Sequence, residues 1–275
     1  MQNELPAHAL GLFLDLGWPE YLALEAVNHG RLADFARSPA ACRLRMSEPE
    51  EPTRAMLLGT ALHAALFEEE TFAERWGFLE HDGRTAAGKQ ERQQAAERGR
   101  QMLTRDDFAA VVEMARSLLT HPRVLPLMLS ASAREETAIW RAPQGRLCKA
   151  RRDLVGPGWI ADVKSTSAFE RFSPWQVTNF GYYRQAAWYA WGGELLQQPC
   201  EHFFLLVVAN SAPFESAVYR LSQEAMRAGR AECERLLELY LACEASGRWP
   251  RHVTELLTAD VAGLRLAEIE EGGTL

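Results

Sequence analysis

The sequence predicts a mixed α/β fold, with a central sheet flanked by helices and a helical N-terminal elaboration. Three observations carry that prediction. Helical periodicity dominates the first 130 residues, short strands joined by tight turns begin near residue 135, and the remainder alternates helix, strands and helix. With 47% apolar residues in 275, the chain can close a sizeable core. We read one domain over 1–275: a mostly helical part at 1–130, an α/β core at 131–250 and a tail at 251–275.

Short apolar runs fill the first thirty residues. The stretch "HGRLADFARSPAACRL" then has helical spacing at Leu32, Phe35 and Ala36 and breaks at Pro39. After the acidic loop "SEPEEPT", Thr53 is placed to cap a helix with Met56, Leu57, Ala61, Ala64 and Ala65 on its apolar side. Residues 81–104 are polar and suggest a loop followed by an exposed helix. Phe108, Val111, Val112, Met114, Ala115 and Leu118 mark a strong helix that stops at His121-Pro122. "EETAIWRA", "LCKARRDLV" and "WIADVKST" are three strands whose connections, "PQGR" and "GPG", are short enough to demand an antiparallel meander. A helix over about 180–197, strands "HFFLLVVAN" and "FESAVYRL", and a long helix over 222–246 complete the expected order.

Bulk properties exclude several classes. No run approaches the roughly 20 apolar residues of a membrane span, and no signal-like pattern opens the chain, so a cytoplasmic protein is expected. Five scattered cysteines without a C-x-x-C pair argue against a disulfide framework, a zinc knuckle and a cysteine-ligated cluster. The net charge of −7 argues against a protein that coats nucleic acid, but the stretch 134–164 carries seven basic against four acidic residues. Nearly every basic residue is arginine. Of only three lysines, Lys149 and Lys164 fall in one short stretch, which suggests that a tunable ammonium matters there.

Alternation puts Lys149, Arg151 and Asp153 on one face of a strand, and Asp162 and Lys164 on one face of the next. If those faces coincide, two carboxylates and a lysine meet. Such a patch suits Mg²⁺ and phosphate oxygens, hence metal-assisted phosphodiester hydrolysis. The competing explanation is a solvated ion-pair face, and it is outweighed only by further residues in suitable places. Gln185 and Tyr189 are one helical turn apart on the helix after the Asp/Lys strand, with Tyr182 one turn earlier. Tyr182 and its neighbour Tyr183 are expected to be half-buried against the sheet. His63 falls on an apolar helix face, and Gly59 would let another backbone approach closely. Glu135 and Glu136 open the first meander strand on opposite faces, so one of them could add a carboxylate. Arg146, Lys149, Arg151 and Arg152 are expected to contact DNA phosphates.

"GTALHAALFEEETF", "CKARRDLV", "WIADVKSTSAF" and "YYRQAAWYA", in this order, resemble the PD-(D/E)XK nuclease superfamily. More narrowly they resemble its exodeoxyribonuclease VIII-like (RecE-type) phage and prophage branch, related to the RecB nuclease domain. The resemblance implies a restriction-endonuclease-like core, with the meander and one or two further strands. It implies Asp153 and Asp162 as metal-binding acids joined by the Val163 carbonyl, Lys164 as catalytic lysine, and Glu136 as the extra upstream acid. Gln185 and Tyr189 match a Q-x-x-x-Y motif and His63 a G-x-x-x-H motif. Arg152 stands where the superfamily often has proline. The implied activity is hydrolysis of linear double-stranded DNA from an end, 5′→3′, leaving 3′ single strands for recombination. Mg²⁺ is the implied cofactor, with Mn²⁺ substituting. Implied partners are DNA ends, a single-strand annealing protein and other copies of the chain in a ring, with a bacterial or phage source. The alternatives are a structure-specific endonuclease and an inactive DNA-binding or assembly module.

Overall fold

A computed structural model describes residues 10–48, 52–172 and 174–251; the middle of the acidic loop, and the expected tail beyond Arg251, lie outside those residues. Strand β1 (Gly11–Phe13) and helix α1 (Trp18–Ala23) come first. Both are too short to show a period, so the sequence does not reveal them. Helix α2 (His29–Arg37) buries Leu32 and Phe35, as their spacing requires. Ser38 accepts the Ala41 N–H and caps α3 (Pro39–Ser47). Pro39 therefore opens a helix as well as ending one, at a position where a missing N–H costs nothing.

Thr53 caps α4 (Arg54–Phe67) by accepting from the Met56 N–H. Helix α5 (Glu69–Arg75), strand β2 (Trp76–Phe78), the polar α6 (Ala86–Glu97) and strand β3 (Gln101–Leu103) follow, with β2 and β3 paired in parallel. That small pair is unexpected, since three residues are too few to signal a strand. Thr104 caps α7 (Arg105–Thr120), which stops at His121 as the sequence suggests, and α8 (Val124–Ser130) leads to the sheet.

Strands β4 (Ala133–Arg141), β5 (Leu147–Gly156) and β6 (Trp159–Thr166) form the antiparallel meander. Gly158, at φ +75°, supplies the left-handed backbone that the tight β5–β6 turn needs. Helices α9 (Pro174–Asn179) and α10 (Tyr182–Leu195) carry the chain to β7 (His202–Ala209), which pairs in parallel with β6 along all eight residues. Strand β8 (Ser216–Arg220) returns antiparallel, and α11 (Gln223–Ser246), capped by Ser222, ends the fold. The sheet order is β1-β4-β5-β6-β7-β8, with β1 added at the meander's edge.

Helices cover both faces. Leu154, Ala161, Val163, Leu206 and Val208 pack under α4, α7 and α8. Ala138, Trp140, Cys148 and Ala150 pack under α2, α10 and α11, and Ile160, Leu205 and Val207 lie under α10. Strand β5 thus changes its covering layer between Ala150 and Leu154. Asp153 lies at that crossing.

Candidate active site

The β5–β6 ladder runs from Gly156↔Trp159 to Leu154↔Ala161 and stops. The next pair in register would be Asp153 and Asp162. Farther along β5 its neighbour is the Val27 segment, which accepts the Lys149 N–H and donates to Leu147. Between these neighbours the sheet has a notch, and Asp153 fills it. Its Oδ2 accepts the Val163 N–H at 2.7 Å, replacing the missing backbone bond. A strand residue sends its N–H and C=O to the same side, so the Val163 carbonyl faces the notch too.

Three layers meet there. From β6, the Lys164 ammonium forms an ion pair with Asp162. From α10, Gln185 Nε2 donates to Asp162 Oδ1 at 3.1 Å and to the Tyr189 hydroxyl oxygen at 2.9 Å. From α4, His63 Nδ1 lies 3.6 Å from Asp153 Oδ1. The two acids are 6% and 2% exposed, so they sit in a low-dielectric site rather than on a wet face.

The charges are tuned accordingly. Burial, opposed by His63 and reinforced by Asp162, lifts the Asp153 carboxyl to about 6. Burial pulls the Lys164 ammonium down, but Asp162 and Asp153 together outweigh it and hold it above its ordinary value. Burial and both carboxylates push the Tyr189 hydroxyl well up, so it stays protonated.

A family model described as a PDDEXK-like domain of unknown function (DUF3799) matches residues 29–257. The chain belongs to that PDDEXK-like family. Its fold is similar to the crystal structure of a "Putative exonuclease" from Eubacterium rectale, with a TM-score of 0.59 and 15% identity over 92% of this chain and 100% of the other. No curated protein sequence matches. The restriction-endonuclease-like core expected from the sequence is the fold observed.

Not every expected residue reaches the PDDEXK-like site. Glu136 lies across from Arg152 in the β4–β5 ladder and forms a buried ion pair with it, away from Asp153. Glu135, at φ +47°, sits 3.5 Å from Arg151. Neither joins the two aspartates, and among the described residues no group of three or more His, Cys, Asp or Glu side chains is arranged to hold a metal ion by itself. The four expected phosphate contacts are likewise engaged internally. Lys149, 4% exposed, donates to the carbonyls of Tyr21 and Leu24 at the end of α1. Arg152 is wholly buried. Arg151 donates to the Leu16 carbonyl, and Arg146 pairs with Glu244 at 3.2 Å. Their positive charge holds the N-terminal segment and α11 in place.

The structure adds groups that sequence patterning passed over. His29, first residue of α2, lies near Lys164 and Arg184 with its Nε2 buried and unpartnered. Burial and those two cations lower its imidazole to about 3, so it is neutral. A histidine opening a helix behind an asparagine cap gives no signal of that neighbourhood. Tyr182, expected to be half-buried, has its ring 5.2 Å from the Lys164 ammonium. Tyr183 instead donates to Glu232 of α11, a supporting contact.

Proposed function

We propose that this chain is a divalent-cation-dependent deoxyribonuclease of the RecE-type branch that hydrolyses linear double-stranded DNA from an end, 5′→3′. The observation that carries the reading is the meeting of Asp153, Asp162 and Lys164 at the β5–β6 notch. The donors fit Mg²⁺. The Asp162 charge raises the cost of ionising the buried Asp153, and His63 Nδ1 lies 3.6 Å from Asp153 Oδ1, beyond hydrogen-bond length. Asp153, Asp162 and the Val163 carbonyl would hold the ion, with water and phosphate oxygens completing its shell. When bound, the ion lowers the pKa of a water and stabilises the departing oxygen.

The chain's own groups do the rest. Lys164, held protonated, orients the attacking water and balances charge on the phosphorus. Gln185 fixes Asp162 Oδ1, leaving the other oxygen to Lys164. Tyr189 anchors Gln185, and His63 offsets the charge of Asp153.

The test is incubation of linear duplex with Mg²⁺, with and without EDTA, comparing Lys164→Ala. Loss of degradation in both controls by at least a hundredfold is expected. Degradation indifferent to chelator and substitution would end the proposal. A closed circle resisting while linear DNA is consumed separates end-dependent hydrolysis from internal cutting.

A further inference from the structure

A column of aromatic rings runs from Tyr219 of β8 through Tyr182, beside Lys164, to the surface at Phe180. Tyr219 lies 4.9 Å from Phe172, Phe172 stacks on Tyr182 at 6.1 Å, and Tyr182 lies 5.6 Å from Phe180. The inner rings are packed, whereas the outermost, Phe180, is 50% exposed. Trp175, on the same short connection between β6 and α10, is 66% exposed. Large aromatics are normally covered, and among the described residues nothing covers these two fully. Beside Trp175, Gln176 is 4% exposed, yet its side-chain oxygen has no hydrogen-bond partner.

The column touches the site through Tyr182, whose ring lies against the Lys164 ammonium. Anything stacked on Phe180 would therefore lie two rings from the group that handles the phosphate. The cations nearby, Lys164 and Arg184, are each paired with an acid, Asp162 and Glu232, so the exposed ring face and not net charge is what this surface offers a strand.

Resting on the nuclease reading, we propose that Phe180 stacks an unpaired nucleobase two rings away from the phosphodiester at the notch. The substrate bound there is thus a DNA strand end with a splayed base, and Phe180 selects it by its π-face. Stacking of this kind tolerates every base, as end-directed hydrolysis requires.

The experiment uses the full chain in EDTA, so that nothing is cut, and a short linear duplex with 2-aminopurine at one end. Wild type should bind and quench the fluorescence. Phe180→Ala and Phe180→Leu should bind about tenfold more weakly and lose the quench, because leucine keeps apolar area without a ring. Phe180→Trp should restore both. Circular dichroism on each variant confirms that the fold persists. Equal affinity and quench in wild type and Phe180→Ala, with wild type still cutting when Mg²⁺ is added, would sink the stacking site and spare the nuclease reading. Wild type that neither binds nor cuts would sink both. A monomer–oligomer change caused by Phe180→Ala with DNA binding intact would assign this face to a second copy and overturn the proposal.

Discussion

Asp153 satisfies the Val163 N–H, yet its negative charge is disfavoured by burial and by Asp162. Its carboxyl ionises in the unfolded chain near the ordinary 3.8 and in the fold only at about 6. The native state thus holds the extra proton between those values, and stability falls as pH rises through them. Above the folded value the whole penalty is present. Asp153→Asn keeps an oxygen for the Val163 N–H and removes the charge. Its Tm should exceed wild type by several degrees at pH 7.5, with the gap closing towards pH 4, while DNA hydrolysis is lost. Equal melting at both pH values would show that the acid is not under strain. The expected site residues that lie away from the notch share one physical cause. The ladder register puts Glu136 opposite Arg152, which the sequence does not reveal, nor does it say which strand face meets solvent. Charged residues on a strand covered by α10 and α1 become internal ties.

At the scale of elements, two glycines make opposite predictions. Gly59 of α4 was expected to admit a close backbone, yet a Cβ there meets nothing within 4 Å. Gly59→Ala should therefore stabilise the helix by about 0.8–1 kcal/mol and leave hydrolysis unchanged, although His63 lies one turn away. Gly229 of α11 is the true close approach: a Cβ would lie 2.3 Å from the Tyr183 carbonyl oxygen of α10. Gly229→Ala should cost about 1–3 kcal/mol and lower turnover, because α10 carries Gln185 and Tyr189. Thermal melts and an end-degradation assay check both. Periodicity exposed α2, α4 and α7, and turn chemistry exposed the meander. The six-residue α1 and the three-residue β1, β2 and β3 left no trace, since their pairing partners are distant in sequence. The D-x-K strand and Q-x-x-x-Y helix were legible because one crossover joins them. His29 was not, because only tertiary packing brings it near Lys164.

At the scale of the molecule, the helical N-terminal part and the sheet are not separable. Leu58, Leu62, Val111 and Met114 share one core with Leu154, Val163 and Leu206. Lys149 binds the end of α1, and α4 delivers His63. A fragment beginning at residue 131 should lack cooperative thermal unfolding by circular dichroism, whereas a folded fragment would refute a shared core. One main-chain amide makes the centre of this assembly observable. Because the Val163 N–H points at the Asp153 carboxylate, its nuclear magnetic resonance signal must shift whenever that oxygen gains a proton or another ligand. A titration followed at this single peak would report the state of the pocket in solution, without any substrate or turnover.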